Sequence, residues 1–307
     1  MKKLADLPRR TVDELALRYE LEPTMRDVFV EGPSDQAIVR WFIDAGCTDG
    51  PSIAVFQIDE VDVPRDLLEA HGLNVGNRSE VLGLCLELES RFGTALTGVT
   101  GIVDSDTSPI ISGDPESGFI LKSDFSCVEM YLFTENCLAK MLKLAFPNIK
   151  RPAKEVIDQL SPVLRECFLA RAANESLGLQ AKWVNLATFA SVSDGNLVFR
   201  LEDFRRHYLQ SVGATKRRVE FDAEIERLRA MLVADFRFAA NGHDAIALLG
   251  LFLKGFCKKS KDGDKTCPHI LVYFLTCSLE ASDVEDFPMF QKLLKRVGKS
   301  NADSDTV

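Results

Sequence analysis

The sequence predicts an α/β protein in which a parallel β-sheet with flanking helices comes first and a mostly helical region follows. Three short apolar segments alternate with two amphipathic helical segments between residues 28 and 104, and a β-α-β-α-β order is typical of parallel sheets with helical crossovers. From about Glu135 onward, apolar residues recur at helical spacing. We therefore expect a core at 1–135, a helical region at 136–298 and a disordered tail at 299–307.

The predicted core begins with a short helix. Thr11 and Glu14 have the spacing of a capping box, in which each side chain bonds the backbone of the other residue. Val28–Val30 predicts a buried strand, and Gly46 is a suitable stop for the helix that follows it. The other core elements are a helix over SDQAIVRWFIDAG, a strand over SIAVFQIDEVDV, a helix over NRSEVLGLCLELESRF and a strand over LTGVTGIVDSD.

The later segments favour helices but leave two points open. FILKSDFSCVEMYLF predicts a strand, a turn at Lys122–Asp124 and a helix that carries Glu129. The long segment around Pro162 predicts two helices, because a proline removes a hydrogen bond inside a helix. HILVYFLTCSLEA is compatible with a buried helix or with a strand.

The composition excludes several classes of protein. The 307 residues are 46% apolar, which is enough for a sizeable core. No apolar run approaches the roughly 18 residues of a membrane helix, and the N-terminus lacks the apolar stretch of a signal peptide, so we expect no membrane contact and a cytoplasmic location. The net charge of −9 argues against a surface that coats nucleic acid broadly.

The eight cysteines carry no metal-site spacing. None forms a CxxC pair, although Cys257, Cys267 and Cys277 lie ten residues apart with His269 nearby. We interpret the cysteines as reduced core thiols rather than as metal ligands.

Three acids follow two of the predicted strands. Glu31 comes directly after Val28–Val30, and Asp104 and Asp106 come at the end of GIVDSD. A carboxylate at the end of a buried strand is costly unless it is paired or binds a cation. Since carboxylate oxygens suit Mg²⁺ or Mn²⁺, we expect the three acids to meet at one edge of the sheet and hold such an ion. Taken alone, each motif is also compatible with an ordinary acidic turn.

The order of these motifs resembles the Toprim fold over roughly residues 26–135. Its glutamate lies in an EG-x-x-D turn, here Glu31, Gly32 and Asp35, and its DxD motif is here Asp104 and Asp106. The resemblance implies metal-dependent making or breaking of phosphodiester bonds. It adds Asp35 to the catalytic acids.

A narrower resemblance is to Toprim-like proteins of the DUF4435 family. DFSCVEMYLF is similar to their D-x-E-N-Y-L block, with Asp124 and Glu129 at the acidic positions and Met130 in place of Asn. NGHDAIALLGLFLK is similar to their GK-D segment, with His243 in place of Lys before Asp244. The resemblance implies that Glu129 joins the catalytic acids.

This family includes the toxic effectors of two-gene anti-phage systems, and the chain resembles the Toprim effector of the PARIS system. That resemblance implies an RNA nuclease, with tRNA as the leading substrate. It also implies release from a partner ABC-type ATPase and an active homodimer.

Two basic clusters stand out from the acidic chain, and phosphate contacts need such local cations. A solvated helix face or an acidic partner explains them equally well. The strongest candidates for nucleic-acid binding are Arg217, Arg218, Lys258 and Lys259, within clusters that also contain Arg205, Arg206, Lys216, Lys254 and Lys261.

Three other functions remain open. One is a DNA-directed Toprim nuclease of the overcoming-lysogenization-defect type, although the chain has no Walker A motif. Another is a haloacid-dehalogenase-like phosphatase, whose D-x-D-x-T loop normally follows the first strand rather than the third. The last is a Toprim-like scaffold that only binds a partner.

Overall fold

The computed structural model describes residues 9–46, 53–93, 98–111, 115–257 and 261–298. The predicted tail therefore lies outside the described residues, as do Lys258 and Lys259. The strands are β1 (Arg10–Thr11), β2 (Asp27–Val30), β3 (Ala54–Gln57), β4 (Val61–Asp62), β5 (Val99–Val103), β6 (Ile120–Lys122), β7 (Ala190–Ser193) and β8 (Asn196–Phe199).

Helices make up most of the regular structure. None of the helices in the described ranges combines the length and apolar character that crossing a membrane would require. The helices are α1 (Val12–Leu21), α2 (Pro33–Gly46), α3 (Arg65–Ala70), α4 (Asn77–Phe92), α5 (Glu135–Ala145), α6 (Ala153–Ser176), α7 (Leu201–Gln210), α8 (Arg218–Arg229), α9 (Gly242–Phe256), α10 (Pro268–Ser278) and α11 (Pro288–Val297).

The main sheet confirms the predicted α/β class. It has four strands in the order β3-β2-β5-β6, and all neighbouring strands run parallel. The capping box at the start of α1 is also confirmed, with Glu14 N–H donating to Thr11 Oγ1 at 3.2 Å and Thr11 N–H donating to Glu14 Oε2 at 2.7 Å.

Helix α4 packs tightly against β5 at a glycine. A Cβ on Gly101 would lie 2.5 Å from Cys85 Sγ and 2.9 Å from Val81 Cγ1, both on α4. Any larger residue would push the helix away from the sheet. This close approach sets the position of α4, whose first turn reaches the carboxyl ends of the strands.

The chain forms two compact units. The first unit contains Met1–Asp104, Asp114–Asp124 and Ala281–Val307, and the second contains Ser105–Gly113 and Phe125–Glu280. This division differs from the predicted one, which separates a core at 1–135 from a helical region at 136–298. The first unit takes in the last helix, α11, because that helix packs on β6.

The prediction of two helices around Pro162 is wrong, because α6 is one helix of 24 residues that contains it. The proline has no N–H for the carbonyl of Asp158, which costs one helical bond. Leu160 and Leu164 on either side are fully buried, so packing keeps the helix continuous. The open choice for HILVYFLTCSLEA resolves as a helix, α10, and Glu129 lies in a 3-10 helix at Val128–Leu132.

The cysteines are only partly core residues. The seven that fall within the described ranges are all free thiols, and five of them are buried, but Cys267 and Cys277 are exposed. Cys47 lies outside the described residues. Within the described ranges, Cys257, Cys267, Cys277 and His269 form no metal-binding group. The interpretation as core thiols is therefore wrong for Cys267 and Cys277.

Candidate functional site

The carboxyl ends of β2 and β5 lie where the strand order of the main sheet reverses. The chain builds β3 on one side of β2, then returns and adds β5 and β6 on the other side. In open parallel sheets such a reversal leaves a crevice beyond the strand ends, and ligands bind there. Glu31 follows β2 and Asp104 follows β5 directly, so these two predicted acids flank the crevice.

A hydrogen bond joins the two acids. The backbone N–H of Asp104 donates to Oε1 of Glu31 at 2.9 Å, and both residues are half-buried. The bond holds the Glu31 carboxylate against the end of the neighbouring strand. Carboxylate oxygens are hard donors of the kind that Mg²⁺ and Mn²⁺ prefer, so this pair fits a divalent cation by its chemistry.

Two residues at the start of α4 hold the same two strand ends. Asn77 Nδ2 donates to the backbone carbonyl of Glu31 at 2.7 Å, and Arg78 Nη1 donates to the backbone carbonyl of Asp104. Gly76 precedes them at φ +150°, a conformation that other residues rarely adopt. Asn77 and Arg78, which we call the α4 clasp, were not identified from the sequence.

Asp35 supports the turn after β2. Its Oδ2 accepts a hydrogen bond from the backbone N–H of Gly32 at 3.0 Å, and the residue is buried in the first turn of α2. A carboxylate at the N-terminus of a helix is also stabilised by the helix dipole. These contacts fix the turn that directly follows Glu31. Asp35 therefore has a structural role in positioning Glu31.

Asp106 belongs to the second unit, where its backbone is strained. It has φ +42°, in the left-handed region that is costly for most residues but tolerated by Asp. Its N–H donates to the carbonyl of Ser126 at 2.7 Å. Ser126 in turn donates from its N–H to the carbonyl of Arg237 at 3.1 Å. Asp106 is thus anchored to the segment that leads to Glu129.

Glu129, also in the second unit, is buried against the start of α9. A Cβ on Gly242 would lie 2.4 Å from Oε2 of Glu129 and 3.0 Å from its Cβ, so only glycine leaves room for this side chain. Cys127 Sγ lies within 4.8 Å of a Glu129 carboxylate oxygen. The structure therefore brings Glu129 of the first DUF4435-like block and the start of the second block together in the second unit.

Two other acids of those blocks have structural partners. Asp124 accepts hydrogen bonds from the backbone N–H of Met289 at 3.1 and 3.3 Å and so caps α11. Asp244 accepts two bonds from Arg171, at 3.0 and 3.1 Å, and one from Trp183 Nε1 at 2.8 Å. Such complete pairing explains how Asp244 is buried at low cost.

The arginines of the first predicted basic cluster are held in ion pairs. Arg217 forms two hydrogen bonds to Glu220, at 2.7 and 2.8 Å. Arg218 is paired with Asp222 at 2.5 Å and with Glu202 at 2.9 Å. These acids offset the positive charge on which the prediction depends. Nucleic-acid binding by Arg217 and Arg218 stays a prediction.

Sequence comparison adds no relative. No protein-family model matches the chain, and no curated protein matches it in sequence. The functional assignment therefore depends on the residues and their arrangement.

Proposed function

We propose that this protein is a metal-dependent nuclease of the Toprim type that cleaves phosphodiester bonds in the cytoplasm. One observation supports the proposal most strongly. Glu31 and Asp104 follow neighbouring parallel strands at the reversal of strand order, and the carboxylate of one is bonded to the backbone of the other at 2.9 Å. This is where an open α/β sheet binds its ligand.

In the proposed site, Glu31 and Asp104 hold Mg²⁺ or Mn²⁺. When bound, the ion stabilises charge on the phosphate and on the leaving oxygen. Glu31 is also suited to take or give a proton, since a glutamate near the reacting phosphate can act as general base or acid. The Toprim and DUF4435 resemblances add Asp35, Asp106 and Glu129 to the catalytic acids, and the sequence pattern adds Asp106 to the metal ligands.

The finer assignment follows the resemblance to DUF4435 proteins. We propose an effector of an anti-phage system that cleaves RNA, with tRNA as the leading substrate. We further propose that a partner ABC-type ATPase holds it until release and that the active form is a homodimer. A DNA-directed Toprim nuclease is the second candidate. The same acids support it equally well, because metal-bound carboxylates do not distinguish the phosphodiester backbone of DNA from that of RNA.

The test compares purified wild type with Glu31→Gln and Asp104→Asn, using RNA and DNA substrates in Mg²⁺ and in EDTA. Glu69→Gln, an exposed acid in the first unit, is the control. We expect RNA cleavage by wild type and by the control, and a loss of at least about 100-fold in both site variants, the usual contribution of a catalytic acid or base.

Three outcomes of this assay would change the proposal. Cleaved DNA with intact RNA would identify the protein as a DNA nuclease instead of a ribonuclease. A phosphate monoester is included as a third substrate, and its hydrolysis without cleavage of either nucleic acid would favour the phosphatase. A fully active Glu31→Gln variant would remove Glu31 from the mechanism.

A further inference from the structure

A basic cavity lies at the elbow between α5 and α6, within the second unit. It has a volume of about 430 Å³ and is lined by Lys143, Lys150 and Arg151 over an apolar floor that includes Leu142, Pro147 and Ile149. Among the described residues that line it, none is acidic. In a chain with a net charge of −9, such a lining marks a local site for an anion.

The two lysines differ from the arginines of α7 and α8 in their surroundings. Across the described residues, neither ammonium lies within 4.0 Å of a carboxylate, and Lys150 Nζ donates to the backbone carbonyl of Pro147 at 2.8 Å. Arg151 pairs with the exposed Glu155 at 3.1 Å, and its guanidinium lies 5.8 Å from the ring centre of Phe256. Among the described residues, two of the three positive charges of the elbow therefore have no carboxylate partner.

We propose that this elbow binds a phosphate of a single-stranded nucleic acid, with the adjoining sugar or base on the apolar floor. Lysine and arginine are the usual phosphate ligands, and a volume of about 430 Å³ falls within the usual range for small ligands. A peptide is a poorer fit, because the lining side chains are only cationic or apolar and offer a peptide N–H no side-chain acceptor. The choice of nucleic acid rests on the proposed nuclease function.

The test measures binding of a fluorescent single-stranded RNA in EDTA, which prevents metal-dependent cleavage, over a range of salt concentrations. The variant is Lys143→Ala/Lys150→Ala. The control is Lys154→Ala, an exposed lysine in the first turn of α6 that pairs with Asp158 at 3.3 Å. Each phosphate contact contributes about 0.7 to the slope of log K against log salt for single strands. Since the elbow holds one phosphate, we expect the double variant to lose about 0.7 from the slope and the control to lose none.

Other outcomes separate this inference from the proposed function. Equal slopes in wild type and double variant would overturn the elbow site, even if the protein cleaves RNA. Displacement of RNA by polyglutamate at equal charge concentration would assign the elbow to an acidic protein segment. A reduced slope in a protein that never cleaves RNA would keep the elbow site and refute the nuclease. Circular dichroism checks that the variants are folded.

Discussion

Replacing Arg78 by alanine tests whether the α4 clasp positions the proposed metal site. Arg78 Nη1 donates to the backbone carbonyl of Asp104. The backbone N–H of Asp104 in turn donates to Glu31 Oε1. The substitution thus releases the strand end on which both carboxylates depend. It also removes a positive charge from an acidic site, and the two effects have opposite signs for cation binding.

The loss of positioning sets the expected magnitude, because a strand end that moves carries both carboxylates with it. A hydrogen bond from a charged donor contributes about 1.5–3 kcal/mol. If all of this contribution is lost from cation binding, Mn²⁺ binds about 10-fold to 150-fold more weakly to Arg78→Ala.

Isothermal titration with Mn²⁺ measures this change, and urea unfolding measures stability in parallel. Arg26→Ala is the matched control. Arg26 is also half-buried, and it donates to the backbone carbonyl of Arg296. It precedes β2 and so lies at the end of that strand opposite to Glu31. We expect the control to lose stability without losing Mn²⁺ affinity. Unchanged or tighter Mn²⁺ binding by a folded Arg78→Ala protein would refute the positioning role.

Two further predictions concern buried charges. Burial raises the pKa of Asp27 against the opposing effect of a hydrogen bond from Tyr19, at 2.9 Å. Because the folded state then holds the proton more tightly than the unfolded state, the free energy of unfolding should fall as the pH rises above about 4. Urea unfolding from pH 4 to 7 should show this fall in wild type but not in Asp27→Asn, and equal slopes would contradict the reasoning. Burial alone would raise the pKa of Glu166, but hydrogen bonds from Arg229, at 2.6 Å, and Arg205, at 2.7 Å, lower it. Its contribution to stability should therefore be lost as the pH falls below about 4.5, and Glu166→Gln should cost about 2 kcal/mol at pH 7, whereas no loss in urea unfolding would indicate that the ion pairs contribute nothing.

The α/β class could be predicted from the sequence because parallel strands have a strong local pattern. Short apolar segments alternate with amphipathic helices, and right-handed crossovers place the carboxyl ends of the strands at one edge. Glu31 and Asp104 were recognisable because each directly follows such a segment. The hairpin of β7 and β8 also had a signal that was not used, since Asp194 and Gly195, with φ +51° and +77°, form the Asp-Gly turn of a tight hairpin.

The α4 clasp could not be predicted in the same way. Asn77 and Arg78 act on backbone carbonyls, and every residue has a carbonyl, so no pattern of side-chain types marks their partners. Their role depends on where α4 begins in space. That position follows from the contact of Gly101 with Cys85. The clasp itself joins residues that are 46 and 26 positions apart in the chain.

The basic residues show a different limit, because counting cations ignores their neighbours. Arg217 and Arg218 lie three and four residues before Glu220 and Asp222, a helical spacing at which opposite charges pair, and the structure contains both pairs. Lys143 and Lys150 have no acid three or four residues away on either side. If cations with an acid three or four residues away are left out, Lys143 and Lys150 remain and Arg217 and Arg218 do not. By this criterion the sequence favours the elbow over the arginine cluster as a site for phosphate. An acidic chain can bind a polyanion locally for the same reason. Local binding depends on the positive charge that remains after neighbouring acids are paired, rather than on the net charge of the chain.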